Sequence, residues 1–544
     1  GYLPEELLPV FTAEDLKGSI SVIIKELDKF DPLKKHKITS KCLPYSIPKV
    51  KGYRRNLSIP NPLHHIRLSH TIIENWADIM IHTEKSTLSI SRLTLGKFRA
   101  IAKPNFDNFI NQRIIRSVGS RYLLKIDISR FYNSIYTHSI PWALHSKAIS
   151  KIHRSRATHF GNAIDEDCRK MQDGQTMGIP VGPDPSRVIS EVILASIDQM
   201  LFDNLPAFKG VRIIDDYYLY FNSLGDVEIA RSFIHKSLKE FELELNPNKE
   251  SIVEIPEVME SLWYTDLKTV RFSNDYKSQR KELIAFFDKA FFHSKQFPED
   301  SVLSYAISKI RPTIFNERNL IILQSLLLHS IIQESKTISL LSEILISYNS
   351  KKHKLDLPAI KFALEQFIIF HCELNHEYEI SWALWTLKQL KLSVAEVTAK
   401  KLSLNSNAVV ILVVLDLKAS RLINKGLDTK FWESLMTKEN LYSEHWLLAY
   451  EAKLRGWLKT PIDYLEDDDF FKLLKDNKVH FYKPRKMLNT SKVRVSSHEP
   501  SVLDFENSID KIGKIFDQQK VTKRSSGKFD KIKPIETNDH DILF

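Results

Sequence analysis

The hydrophobic pattern of this chain changes character near residue 281, and that change limits what the chain can fold into. Residues 1–280 mix short runs of strand type, "YLLKIDI", "VRIIDDYYLYF" and "ESIVEI", with helical stretches, and carry most of the Gly and Pro punctuation. From 281 to 480 the pattern is leucine-rich and helical throughout, as in "NLIILQSLLLHSIIQ", "TISLLSEILISY", "AIKFALEQFIIFH" and "SEHWLLAYEAKLRGW". The first part predicts an α+β domain and the second an all-α domain.

The helices of the second part are short and separated by small polar breaks, which suits stacked helical pairs of the HEAT kind, although their spacing is too irregular for a strict repeat. Residues 481–544 are polar and basic and read as a partly mobile tail. Within it Phe505, Ile509, Ile512 and Phe516 fall at helical spacing, as a short amphipathic helix would that docks on the body or on another subunit. Trp382, Trp385, Trp446 and Trp457 offer stacking surfaces for single-stranded nucleic acid, but beside leucines at helical spacing they read first as core.

With 544 residues, 43% of them apolar, the chain has enough material for two or more cores. The 78 Lys and Arg against 67 Asp and Glu leave a net charge of +11, which suits a polyanionic partner. Only Cys42, Cys168 and Cys372 occur, too far apart for a disulfide framework or a zinc site of paired CxxC units, as expected in a reducing cytosol. The start has no signal-peptide pattern, and the longest apolar run, 407–417, is too short to span a bilayer. The expectation is a soluble cytoplasmic protein with no membrane partner.

Asp215 and Asp216 stand in the middle of the apolar run 211–221. An ionised carboxylate out of water costs several kcal/mol unless it is paired or holds a metal, so a core strand has no use for two. A solvated hairpin tip is the plain alternative. The flanking Ile214 and Tyr217 to Tyr220, with no Gly, Pro or Asn, favour a continuous strand instead. A third carboxylate, Asp127, ends the apolar run "RYLLKID". Acidic residues from two strands converging at one sheet edge suit a pair of hard divalent cations, which stabilise the attacking and leaving oxygens of an in-line phosphoryl transfer.

Four segments in order, "KIDISRFYNSI", "TMGIPVGPDPSRVISEVIL", "RIIDDYYLYF" and "LELNPNKES", resemble motifs A to D of the reverse-transcriptase palm, and "YSIPKVKGYRRNLSIPNPLHHIRLSHTII" looks like the fingers segment before them. The resemblance covers about residues 40–255. "FYNSIYTHSIPWAL", "GIPVGPDPSRVISE" and the all-α second half are similar to the abortive-infection (Abi, AbiK-like) reverse transcriptases of phage defence. The implied fold is a reverse-transcriptase-like fingers and palm domain (1–280), a HEAT-like helical domain (281–480) and the tail (481–544).

The resemblance implies roles residue by residue. Asp127 and Asp215 would bind Mg²⁺, or Mn²⁺, with Asp216 in support, while the aromatic of the family's YxDD box is here Ile213. Tyr132 would lie under the sugar and exclude a 2′-hydroxyl, with Phe131 as core. Gly178, Pro180 and Gly182 would let backbone approach the nucleotide. The usual Gln-Gly is here Met177-Gly178, preceded by Gln175 and Thr176. Lys249 would be the acid for the leaving pyrophosphate. Arg54 and Arg55 would hold the triphosphate, with Lys49 and Arg67 as weaker candidates. His64, His65 and His70 lack ligand companions and read as packing or phosphate contacts.

The implied activity is Mg²⁺-dependent, template-independent DNA synthesis from deoxynucleoside triphosphates, primed by a protein hydroxyl (Tyr45, Tyr53 or Tyr2), with the single-stranded DNA product left attached to a homo-oligomeric protein. Two alternatives stand beside it: a templated RNA-directed DNA polymerase, and a nucleic-acid-binding pseudo-polymerase scaffold.

Overall fold

Four antiparallel strands carry the acidic residues, and the sequence explains their order of burial. The computed structural model describes residues 1–27, 38–96, 99–205, 207–460 and 462–495. Within these, β1 (Leu43–Pro48) and β2 (Arg54–Ile59) form a hairpin. A second sheet joins β3 (Tyr122–Asp127), β4 (Lys209–Ile213), β5 (Asp216–Phe221) and β6 (Ser251–Glu254) in the order β4-β5-β3-β6, each neighbour antiparallel.

β3 is central and covered on both faces, with Leu123 and Leu124 both buried, and Lys125, which interrupts its apolar run, pairs with Glu257 at 2.8 Å. On one face Leu124, Ile126, Tyr217 and Leu219 join Ile193 and Ile197 of the helix Asp184–Asn204 and Ile234 and Leu238 of the helix Leu224–Glu240. Truncating one of these leucines or isoleucines to Ala costs about 2–5 kcal/mol. On the other face the helix Phe106–Ser117 lies against β4 and β5, where the Arg113 guanidinium sits 4.4 Å above the Tyr218 ring and bonds Glu257.

The run 211–221 is not one strand. It is the hairpin of β4 and β5, turned by Ile214 and Asp215. The expectation of a continuous strand failed because the turn uses no permissive residue: Ile214 takes φ +54°, a region a β-branched side chain rarely enters.

Among the described residues beyond 275 every element is helical, and most of the longer helices lie in two ranks. One comprises Val302–Ile310, Ile338–Ser350, Glu377–Gln389, Ala408–Ala419 and Trp446–Leu454, each packed on the next. The other comprises Tyr276–Gln296, Leu320–Gln333, Leu357–Glu373 and Glu396–Leu402. Ala408–Ala419 is apolar all round because it is enclosed, with 408–417 all buried. The helix Glu377–Gln389 packs on β1, so the helical part is built directly onto the first hairpin. Trp385 and Trp446 are fully buried and Trp382 nearly so; Trp457 is half-buried against Tyr482. Trp382, Trp385 and Trp446 are core, while Trp457 remains partly open to solvent.

Gly1–Val493 forms one unit. Its two ends are paired: Thr12 N–H donates to the Phe481 carbonyl at 2.9 Å, and Lys483 N–H to the Val10 carbonyl at 2.7 Å. Phe481 and Tyr482 are fully buried, so the tail expected from 481 starts later than its polar composition suggested. The amphipathic stretch Phe505 to Phe516 lies outside the described residues. Among the described residues no helix is long and apolar enough to cross a membrane.

Candidate active site

Asp127 closes β3, and the register sets it directly opposite Asp216, the first residue of β5. Asp215 sits in the turn between. Strand pairing alone therefore brings the three carboxylates to one edge of the sheet. The Asp127 carboxylate is held from both sides: Lys249 Nζ donates to Oδ1 at 3.0 Å and Asn246 Nδ2 to Oδ2 at 2.8 Å. The Asn246 backbone N–H also bonds the Asp127 carbonyl at 2.8 Å, which locks the segment bearing Lys249 to the end of β3.

The electrostatics follow from this crowding. Burial pushes the Asp215 carboxyl above its usual range, and the Asp127 charge adds to that. Asp216 is pushed up to about 7, by burial first and then by the charges of Asp215 and Asp127. Burial alone would lower the Lys249 ammonium, but its hydrogen bond to Asp127 and the three carboxylate charges raise it above its ordinary value. Like charges at this density ionise together only when a cation neutralises them. The three carboxylates are hard oxygen donors, the kind that Mg²⁺ or Mn²⁺ takes and a soft metal does not, and with both Asp127 oxygens bonded to Lys249 and Asn246 an ion on Asp127 would have to displace one of them.

The surrounding residues divide sharply. Arg54 and Arg55 are neighbours on β2, so strand alternation sends them to opposite faces. Arg55 is exposed and lies in the field of Asp215, while Arg54 turns away and forms a two-pronged ion pair with buried Glu379, 2.8 Å at each prong, with Ser46 also bonded. Arg54 is thus a structural link to the helical part, not a triphosphate ligand. Lys49 stays exposed near the acids; burial and the charges of Arg55 and Lys249 lower its ammonium pKa against the pull of Asp127 and Asp215. Arg67 is buried and donates to the Leu27 carbonyl at 2.9 Å. His64 and His65 are buried, each pushed down to about 3 by burial; His64 bonds Ser40 and His65 stacks on Tyr2. His70 pairs with Glu74 at 3.2 Å.

Tyr132 is half-buried beside the acids; burial pushes its hydroxyl up to about 12, with a hydrogen bond to Ser190 opposing and the Asp215 charge adding to the rise. Phe131 is core. The glycines of the second motif lie close to other parts of the chain. Gly178 has φ +85°, and a Cβ there would lie 3.1 Å from the Asn133 carbonyl oxygen; Gly182 has φ +119° and faces Pro4. Both close approaches are to protein. Gly178 N–H to Ile135 and Ile179 N–H to Tyr132, each 2.8 Å, pin this buried Gly-Ile-Pro180 stretch beside the turn that follows Asp127.

Of the three hydroxyls considered for priming, Tyr2 and Tyr45 are buried and bonded, to the Pro60 carbonyl at 2.6 Å and to Ser381 at 3.0 Å. Tyr53 is 68% exposed. It lines, with Lys49, Phe362, Phe370 and His371, a cavity of about 680 Å³ between the first hairpin and the helical part.

Sequence reasoning missed Asn246, although a polar residue three positions before Lys249 is a signal of a kind. It also missed a buried group under the turn: Arg212, Glu191 and Asp198. Charged residues at i and i+7 of a buried helix, with an arginine in an apolar strand, were the signal there.

No protein-family profile and no curated protein matches this chain. Among solved structures it is similar to apo telomerase from Candida tropicalis, at 11% identity and a TM-score of 0.32, over 72% of each chain. Two telomerases in complex with a TWJ fragment of telomeric RNA are also similar. For that of Candida tropicalis the identity is 12%, the TM-score 0.28 and the coverage 72% of this chain and 68% of the other. For that of Candida albicans the values are 13%, 0.27, 74% and 68%. These likenesses are too loose to bear on the chemistry, which rests on the residues described above.

Proposed function

We propose that this chain is a divalent-metal-dependent nucleotidyltransferase, a reverse-transcriptase-like DNA polymerase of the abortive-infection type. The observation that carries the proposal is the meeting of Asp127, Asp215 and Asp216 at one sheet edge with Lys249 on Asp127. The order of the four palm-like motifs supports the polymerase class, and the "FYNSIYTHSIPWAL" stretch supports the defence assignment.

In this reading Asp127 and Asp215 would hold the cations, which would stabilise negative charge on the attacking and leaving oxygens. Arg55 and Lys49, exposed beside the acids, bind the triphosphate of a deoxynucleotide. Tyr132, half-buried beside the acids, is read as the ring that lies under the sugar and limits its 2′ side. Lys249 stays protonated at neutral pH and donates a proton to the departing pyrophosphate. Synthesis without template starts from a protein hydroxyl, for which Tyr53 is the exposed candidate, and leaves single-stranded DNA on the protein.

The test is incubation of the protein with Mg²⁺ and labelled deoxynucleotides, without template or primer, followed by a denaturing gel. Label that stays on the protein band, is removed by nuclease and is absent from an Asp215→Asn, Asp216→Asn variant is the expected result. Incorporation only after RNA and a primer are added makes the chain a templated reverse transcriptase. No incorporation under either condition makes it a scaffold.

A further inference from the structure

The turn that carries Asp215 is built against its own conformational preference. Its first residue, Ile214, is β-branched and partly exposed, and holds φ +54° where glycine or asparagine is the ordinary occupant. Such a residue keeps that conformation only if its surroundings over-determine it.

Both backbone polar groups of Ile214 are taken. Its N–H donates to Ser91 Oγ at 2.9 Å, and its carbonyl accepts from Arg212 Nη1 at 2.9 Å. Ser91 in turn donates to Glu191 Oε1 at 2.8 Å. Arg212 Nη2 reaches Glu191 Oε2 at 3.0 Å and Asp198 Oδ2 at 2.8 Å. Ser89 bonds Glu191 at 3.1 Å, Ser86 bonds Asp198 at 2.5 Å, and the Tyr217 hydroxyl bonds Asp198 at 2.9 Å. Arg212, Glu191, Asp198 and Ser91 are all essentially inaccessible to solvent.

The chain segment that supplies Ser86, Ser89 and Ser91 is itself fixed to β4. Arg212 N–H donates to the Leu88 carbonyl at 2.8 Å and Ile90 N–H to the Arg212 carbonyl at 2.9 Å, a short parallel pairing at the free edge of the sheet. The clamp therefore has its base on β4 and on the helix Asp184–Asn204 and ends on one partly exposed residue. A buried arginine with two carboxylates is a poor source of stability compared with apolar packing of the same volume. Its geometry here has a specific terminus, the peptide groups on either side of Ile214.

We infer that Ser91 and Arg212 are positioning residues that hold Ile214 in its left-handed conformation and so set where the Asp215 carboxylate stands relative to Asp127. The inference rests on the reading of Asp127 and Asp215 as cation ligands. Groups that orient a metal ligand from behind typically change metal affinity 10–100-fold when removed.

The test is Mn²⁺ titration of the full chain, with free Mn²⁺ followed by electron paramagnetic resonance, alongside thermal melting of each metal-free protein. Five proteins are compared: wild type, Asp215→Asn, Ser91→Ala, Ile214→Gly and the double variant Ser91→Ala, Ile214→Gly. Ser91→Ala removes the acceptor for the Ile214 N–H. Ile214→Gly takes φ +54° without strain and keeps both backbone groups for the clamp, so it is expected to bind as wild type does, and in the double variant it separates positioning from folding. The expected result is Mn²⁺ binding by wild type that Asp215→Asn loses, about tenfold weaker binding in Ser91→Ala, and recovery of that loss in the double variant. Wild-type affinity in Ser91→Ala overturns the inference and leaves the cation reading intact, as does a loss in Ser91→Ala that Ile214→Gly does not recover. No Mn²⁺ binding by wild type overturns the cation reading, and the inference with it.

Discussion

Asp127 and Asp216 stand directly opposite each other on neighbouring antiparallel strands, with Asp215 one residue away in the turn. Three carboxylates are thereby held together by backbone pairing, whatever their mutual repulsion.

Burial of Asp216, with the charges of Asp215 and Asp127 adding to it, sets a pH dependence of stability. Asp216 is pushed up to about 7 in the folded chain, against an unfolded value of about 3.9. Between those values the folded state holds the extra proton, so stability falls as pH rises from about 4 to 7, and the loss is complete above 7. Asp216→Asn removes this contribution. In metal-free buffer at pH 8 it is expected to melt above wild type, with the gap closing as the pH is lowered toward 4; a gap constant with pH would contradict the assignment.

Cations and protons compete for the same oxygens. Mn²⁺ affinity is expected to rise between pH 6 and 8 as Asp216 loses its proton, and calorimetry in buffers of different ionisation enthalpy should register proton release on binding.

The two arginines of β2 are expected to give opposite phenotypes. Glu379 is fully buried, so Arg54→Ala leaves its charge uncompensated and costs about 3–5 kcal/mol of stability, read by chemical denaturation. Arg55→Ala is expected to leave the midpoint unchanged and to raise KM for deoxynucleotides.

Lys249→Ala is expected to lower kcat for incorporation by about a hundredfold or more, if the ammonium delivers the proton to pyrophosphate. Lys249→Arg keeps the charge but is a poorer acid, so it should recover nucleotide binding while leaving kcat low.

Gly178→Ala forces a side chain into φ +85° and to 3.1 Å from the Asn133 carbonyl. The expected cost is about 1–3 kcal/mol, measurable as a lowered unfolding midpoint, because the displaced segment is hydrogen-bonded behind Asp127.

How far the sequence could be read depended on whether a residue's partners were near it in the chain. β3 and the helix Ala408–Ala419 were legible because their apolar runs report enclosure on all sides. The grouping of Asp127 with Asp215 and Asp216 was legible because charge in a strand-type run demands an explanation. The turn at Ile214 was not, since its conformation is imposed by Ser91 and Arg212 and not by its own side chain. Arg54 and Arg55 looked equivalent as adjacent letters; only the pairing of β2 and the presence of Glu379 more than three hundred positions later told them apart. Tyr45 and Tyr2 looked available for the same reason, and are covered by Ser381 and Pro60.

The pairing of residues 10–12 with 481–483 bears on how such a chain is made. Residues 10–12 acquire their final neighbours only when the 480s have been synthesised, so Phe11, which meets the Tyr482 ring at 5.0 Å, waits for more than four hundred further residues. Contacts that distant in sequence close late and slowly. A nascent chain therefore keeps residues 10–12 unlatched until residues 481–483 have been made, and the α+β part is closed only together with the helices that flank it.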